Sequence, residues 1–314
     1  MSQTFKIRKG YDIKLVGEAS SNDLGQHSAS TYAVSPLDFP GITPKLAVKV
    51  GANVLAGDTL FFDKDRPEVK ICAPVSGEVA EIKRGAKRKI LAVLLLADSE
   101  ISYANYGAFD FSRGDRDAIA GHFSNTGVGA FITTRPYGVV ASMNERPRDI
   151  FVNGVQSGPL NGDLATQLAG KGEAVQAAIS ALALMTTGKV FVSHDADAAT
   201  VDELQVEGAT HISFSGKHPK GLVGTQIAKA APINKGELVW TVNAIDLPII
   251  GRAFLTGEYA PEYKVAITGS KAMNTGYATM LQGTSLNRFI SANINAENTR
   301  IIAGDVLTGT QQAM

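Results

Sequence analysis

Residues 71–90, ICAPVSGEVAEIKRGAKRKI, constrain the fold more than any other stretch of the chain. Ala73-Pro74, Gly77 and Val79 form an A-P-x-x-G-x-V turn. Upstream, LAVKVGANVLAGDTLFF (46–62) places Gly51 and Gly57 six residues apart. Glycine suits tight turns there, because it adopts positive φ without steric cost. Leu46, Val48 and Val50 alternate in a way that turns one strand face inward. Downstream, AEIKRGAKRKILAVLLLA reads as two strands around a turn at Gly85. Short strands joined by glycine turns predict a flattened β-barrel.

Together these segments resemble the biotinyl/lipoyl barrel-sandwich fold. Carriers of that fold hold a modified lysine at a tight hairpin tip, in contexts such as E-A-M-K-M or D-K-A. The equivalent stretch here is FFDKDRPEVK, with Lys64 between Asp63 and Asp65 and two residues before Arg66-Pro67. A ligase reading the tip would meet the wrong neighbours, so no covalently bound biotin or lipoate is expected. The hairpin KRGAKRK (83–89) concentrates Lys83, Arg84, Lys87, Arg88 and Lys89. Two readings stand: a solvated tip that blunts edge pairing, or a docking patch for an acidic partner or lipid head groups.

Bulk properties exclude several functions. The 314 residues suffice for two or three domains, and 44% hydrophobic with 19% charged residues describes a folded protein. Lys plus Arg equals Asp plus Glu, 30 each, so no overall field attracts nucleic acid and no nucleic-acid partner is expected. One cysteine, Cys72, excludes an intramolecular disulfide, a cysteine zinc site and a cysteine-ligated iron–sulfur cluster. The start MSQTFKIRKG lacks the apolar core of a signal peptide. No apolar run reaches the roughly 18 residues of a membrane span. The chain is expected to be soluble when isolated and cytoplasmic.

From about residue 106 the pattern changes. Ser112 and Asp115 stand at capping-box spacing, which predicts a helix start there and an end near Gly127 and Gly129. Strand signals follow at 150–155, 189–194, 210–216 and 238–243, with a helix at 173–185. This alternation predicts a three-layer, Rossmann-like α/β domain with a mainly parallel sheet. Gly127-Val128-Gly129 lacks a third glycine, since Ile132 occupies that offset, and no Walker A, H-E-x-x-H or G-x-S-x-G motif occurs. His27, His122, His194 and His211 read as structural.

Two loops carry candidate chemistry. In FITTRPYGVV (131–140), Phe131, Pro136 and Tyr137 beside Arg135 form an amphipathic wall for a planar ligand with carbonyl oxygens, or a rigid turn in which Arg135 caps carbonyls. In GKHPKGLVGTQI (216–227), Gly216, His218, Gly221 and Gly224 form an anion or nucleotide loop at a helix start, or a structural turn.

The stretches APVSGEVAEIKRGAKR, TTRPYG, HPKGLVGT, FLTGE (254–258) and IIAGDVLTGT (301–310) occur in the order found in one family. Over nearly its whole length the chain resembles the A subunit of the bacterial sodium-translocating NADH:quinone reductase. The resemblance implies an α/β multi-domain protein. Residues 1–105 would be an unmodified barrel-sandwich hybrid, 106–258 a Rossmann-like domain, and 259–314 an SLBB-like β-grasp module. Relatives usually continue beyond the equivalent of Met314, which implies a further C-terminal domain.

The architecture also resembles the flavin- and NADH-binding subunit of complex I and its counterpart in Rnf complexes. Their glycine-rich loops are reduced here to NTGVGAF and HPKGLVGT. That departure implies a scaffold kept and its FMN lost. The family implies that NADH, FAD and the 2Fe-2S centre belong to another subunit and that sodium crosses membrane subunits. It places the A subunit peripherally on the cytoplasmic side of the inner membrane. It also implies contact with ubiquinone or menaquinone through segments matching SPLDFPGI (35–42) and FITTRPYG (131–138). Phe39, Gly41, Phe131, Arg135, Pro136 and Tyr137 are the quinone candidates carried over. Lys83, Arg84, Lys87, Arg88 and Lys89 would serve docking to partner subunits. The rival readings are a purely structural subunit and a flavin/NADH-binding dehydrogenase subunit.

Overall fold

The computed structural model describes residues 3–294 and 298–312. Two short strands come first, β1 (Gln3–Ile7) and β2 (Asp23–Gln26). Then follows a sandwich built from β3 (Thr31–Val34), β4 (Pro44–Leu46), β5 (Asn53–Val54), β6 (Thr59–Asp63), β7 (Lys70–Cys72), β8 (Gly77–Arg84) and β9 (Ile90–Ala97). Its two sheets run β3-β9-β8-β5 and β4-β6-β7. Leu60, Phe61, Val79, Val93 and Leu95 are fully buried between them.

The glycine turns behave as the sequence requires. Gly51 and Gly57 have φ of 80° and 100°. Gly77 has φ of 147°, and a Cβ there would lie 1.9 Å from the Leu96 carbonyl oxygen. Val50, expected to face inward, is 56% exposed. The strand ends at Leu46, and the chain is already turning into Gly51 when it reaches Val50.

The α/β unit contains α1 (Arg116–Thr126), β10 (Thr133–Arg135), β11 (Val139–Val140), β12 (Ile150–Asn153), α2 (Leu164–Leu168), α3 (Gly172–Ala183), β13 (Val190–Asp195), β14 (Thr210–Gly216), α4 (Val223–Ala230), β15 (Val239–Asn243) and α5 (Leu247–Thr256). Its sheet runs β1-β14-β13-β12-β15-β10-β11. The first five strands pair in parallel, and the β10–β11 hairpin closes one edge antiparallel. On one face Phe123, Ile179, Leu182, Ile250 and Phe254 form the core, which brings α1, α3 and α5 together. The other face packs Phe151, Phe191, Ile212 and Phe214 against Ile227 of α4.

Helix α1 starts one turn later than Ser112 predicts. Gly114 takes a left-handed conformation that breaks the preceding turn, and Asp115 is the N-cap, accepting from Asp117 N. Ser112 instead donates its hydroxyl to Asp110.

The last unit is a sheet ordered β16-β17-β2, from β16 (Glu262–Ile267) and β17 (Gly276–Leu281), with α6 (Asn287–Asn293) and a hairpin of β18 (Ile301–Ala303) and β19 (Thr310–Gln312). Ala278, Met280 and Phe289 form its small core. Residues 3–26, placed by sequence within the 1–105 unit, therefore pair elsewhere. β1 lies against β14, with Phe5 stacked on Phe214, and β2 lies against β17. Strand pairing is non-local, and the amphipathic pattern of a short segment does not reveal its partner.

Asp246, just before α5, joins the α/β unit to β16. The Tyr263 hydroxyl donates to its Oδ1 at 2.8 Å, and Asn243 Nδ2 donates to Oδ2 at 3.2 Å. Burial raises the Asp246 carboxyl to about 6, against a smaller opposing effect of those two donors.

Gly77→Ala meets both an unfavourable φ and a carbonyl oxygen, so it should cost roughly 3 kcal/mol or more, read as a lowered urea midpoint. Asp246 is a raised acid: the fold keeps a proton that the unfolded chain releases from about pH 4 upward. Its contribution is fully present below the unfolded pKa and is lost as pH rises through about 6. The stability of Asp246→Asn relative to the native chain should therefore rise between acid and neutral pH, by about 3 kcal/mol at most. Parallel pH profiles for the two proteins would contradict the assignment.

Candidate functional site

The 131–140 segment forms an edge hairpin: β10 pairs with both β15 and β11, and β11 pairs with β10 alone. Thr133 to Arg135 pair with Val239 to Thr241 of β15, and Gly138, at φ of 68°, turns the chain back. Gly138 N donates to Thr134 O at 2.8 Å. The Arg135–Pro136 peptide is cis. Pro136 and Tyr137 stand at the exposed tip, Tyr137 with 76% of its surface open. Arg135 is half-buried, and its Nε is buried without a hydrogen-bond partner among the described residues.

Carbonyl capping at this place falls to a different arginine, one that no motif marks. Arg66 Nη1 donates to Val140 O, Nη2 to Gly41 O at 3.0 Å, and Nε to Asp63 Oδ2 at 2.7 Å. Asp63 is 2% exposed and also accepts from the amides of Thr43 and Asp65; these bonds and Arg66 hold its carboxyl below the usual range despite burial. Val140 N donates to Pro40 O at 2.9 Å, and a Cβ on Gly41 would strike Val139. The two segments marked as quinone candidates are thus neighbours in space.

The candidates do not form one wall. Phe39 is 6% exposed in the barrel core, edge-on to Phe61. Phe131 stacks on buried Tyr259 at 6.3 Å, packed against the α/β core and away from the tip. A residue just before a strand on the buried side supports the hairpin from below, whatever its apolar character suggests. Gly41, Arg135, Pro136 and Tyr137 remain as the surface group.

The 216–224 loop is knitted by carboxylates of its own chain. Gly216 N donates to Asp197, His218 N to Asp12, and Lys220 Nζ binds Asp195 at 2.6 Å and Asp197 at 3.0 Å. Ser157 Oγ accepts from Gly221 N and lies 3.0 Å from His218 Nδ1. A Cβ on Gly221 would collide with Ser157, whereas Gly224 faces open space. Donors that would cradle an anion already hold internal acceptors, which favours the structural-turn reading of Gly216, His218 and Gly221.

The sequence gives no warning of a crevice of about 440 Å³ at the carboxyl ends of β12 and β13. His194 and His211, which read as unrelated structural residues, meet there with Nε2 and Nδ1 2.8 Å apart. The one available signal is the parallel register, which sets Val192 beside His211 and His194 beside Ser213. His122 and His27 are structural as expected, bonding the carbonyls of Ala253 and Ser285.

Lys83, Arg84, Lys87, Arg88 and Lys89 are all exposed on the β8–β9 turn. Lys64 is exposed too, but its flanks, Asp63 and Arg66, are fixed by the contacts above. Among the described residues no helix is long and apolar enough to cross a membrane.

Three family models match the chain in order. They are the NqrA N-terminal barrel-sandwich hybrid domain over 5–98, the NqrA second alpha/beta domain over 114–259, and the NQRA C-terminal domain over 264–313. Similar curated proteins are named as the A subunit of the Na(+)-translocating NADH-quinone reductase. That of Marinomonas sp. (strain MWYL1) is 31% identical over 309 residues, covering 97% of this chain and 68% of the relative. That of Yersinia pestis is 30% identical over 307 residues with the same coverage. That of Pseudomonas aeruginosa (strain UCBPP-PA14) is 30% identical over 306 residues, again covering 97% and 68%.

Proposed function

The chain belongs to the family of the A subunit of the Na(+)-translocating NADH-quinone reductase, and from that premise we propose that it is a peripheral subunit contacting quinone through the β10–β11 hairpin. The observation that carries this reading is Arg135. Arg135 is half-buried beside an exposed proline and tyrosine and makes no side-chain hydrogen bond among the described residues; its Nε is enclosed, which leaves the terminal nitrogens as the donors for a ligand. Arg135 would donate charge-assisted bonds to a quinone carbonyl or its reduced anion. Tyr137 and Pro136 would cover the ring.

Ubiquinone or menaquinone is the ligand in this reading. FMN has no part in it, since Ile132 stands where a third glycine is needed and the 216–224 donors are occupied internally. NADH, FAD and the 2Fe-2S centre belong to a partner subunit, and sodium to the membrane subunits. The isolated chain would not be catalytic. It would sit on the cytoplasmic side of the membrane, with Lys83, Arg84, Lys87, Arg88 and Lys89 meeting an acidic face of a partner subunit.

Arg135→Ala should weaken quinone binding roughly ten- to a hundredfold, corresponding to about 1.5–3 kcal/mol for a hydrogen bond to a charged group. Its melting temperature should stay unchanged, because Arg66 does the capping. Tyr137→Phe should lose less, since the ring remains. Native quinone affinity in an Arg135→Ala protein that melts earlier would make the arginine structural and end the quinone assignment.

The basic turn has its own test. Reversing three of the five charges should loosen the subunit from the purified complex at low salt. Added salt should weaken the native attachment, because exposed charges are screened beyond about 10 Å at 0.1 M. Retention unaffected by charge reversal and by salt would leave the basic turn as a solvated tip.

A further inference from the structure

The crevice at the ends of β12 and β13 lies where open parallel sheets expose their loops, and its volume of about 440 Å³ suits a small ligand. Gln156, Asp163, His194, Asp195 and Val201 are among the residues lining it. Among the described residues, no lysine or arginine lines it. Helix α2, which begins beside it, is capped by this chain's own Asp163, whose Oδ2 accepts from Thr166 N and Oγ1. Both facts disfavour a phosphate.

The histidine pair fixes what the crevice offers instead. His211 Nε2 lies 2.9 Å from Val206 O, and a carbonyl only accepts, so that nitrogen carries the proton. In the neutral ring His211 Nδ1 then accepts, and His194 Nε2 donates to it across 2.8 Å. His194 Nδ1 is therefore a bare acceptor with no protein partner among the described residues. Burial, and then the neighbouring His211, depress His194 to about 4, so it stays neutral at physiological pH.

Asp195 binds Lys220 and Asp197 N through Oδ1 only. Its Oδ2 and the Oδ1 of Asp163 accept nothing from the described residues. Lys220 pairs with both Asp195 and Asp197, and Lys6 also acts on Asp197, so of the two lining carboxylates Asp163 is the one without an ion-pair partner among the described residues. Val201, Ala198 and Ala199 are the apolar residues among those lining that side.

We propose that this crevice binds a small organic cation, an ammonium or guanidinium on a short carbon stem, with Asp163 and Asp195 facing its charge and His194 Nδ1 accepting one of its N–H groups. This site is independent of the quinone hairpin, since the two share no residue.

The test is a calorimetric titration of the whole chain with agmatine, with inorganic phosphate and xylitol as the anionic and neutral comparators. Agmatine should bind saturably, and the other two should not. Asp163→Asn keeps a good N-cap while removing the charge, so the melting temperature should hold and agmatine affinity should fall about fivefold. Thr200→Lys places a like charge at an exposed lining position and should weaken binding similarly without touching the cap. The proposal is overturned if agmatine does not bind, if both variants bind it as the native chain does, or if xylitol binds as tightly as agmatine.

Discussion

One guanidinium organises the junction on which the rest of the structure depends. Arg66 holds the Asp63 carboxylate with one edge and two carbonyl oxygens, of Gly41 and Val140, with its terminal nitrogens. Those oxygens belong to the barrel and to the edge hairpin of the α/β sheet. A planar donor with fixed geometry satisfies three acceptors at once, which a flexible ammonium does poorly. Ser142 Oγ, bonded to Glu68, and Lys70, bonded to Asn125, extend the same seam. Cys72 finishes it: its sulfur would lie 2.4 Å from a Cβ on Gly127, so only glycine lets barrel and α1 approach this closely.

The seam also bears on the expectation that this carrier-like barrel holds no covalently attached arm. A carrier needs its lysine hairpin free on all sides. Here the matching turn is the part of the barrel pressed against another unit, and Asp63 and Arg66 flank Lys64 as structural residues. The residues that spoil the ligase motif are the ones that build the contact, so one substitution pattern serves both ends.

Local rules made much of this fold readable. The strands at 150–155, 189–194, 210–216 and 238–243 and the helix at 173–185 stand within a residue or two of their expected places, because buried parallel strands and alanine-rich helices leave strong short-range patterns. What escaped is what arises between distant segments. Phe39 looked like a ligand residue until the barrel closed over it, and His194 met His211 only through strand register. Arg66 looked like the spoiler of a motif, and its acceptors lie 25 and 74 residues away. The net charge of zero likewise conceals a basic turn at one end of the barrel and a crevice in the α/β unit lined by two aspartates and, among the described residues, no lysine or arginine.

β1 and β2 also set the order in which the chain can assemble. β1 waits for residues 212–216 and β2 for residues 277–279 before either has a partner. At about 5–20 residues per second on the ribosome, the sandwich between Thr31 and Ala97 is complete and able to close while both leading strands are still single. β1 and β2 thus find their partners only after the barrel that follows them in the chain, closing the edge of one sheet and completing another. A change that hindered the pairing of β1 or β2 would therefore leave the barrel intact and injure the α/β sheet or the β16–β17 sheet.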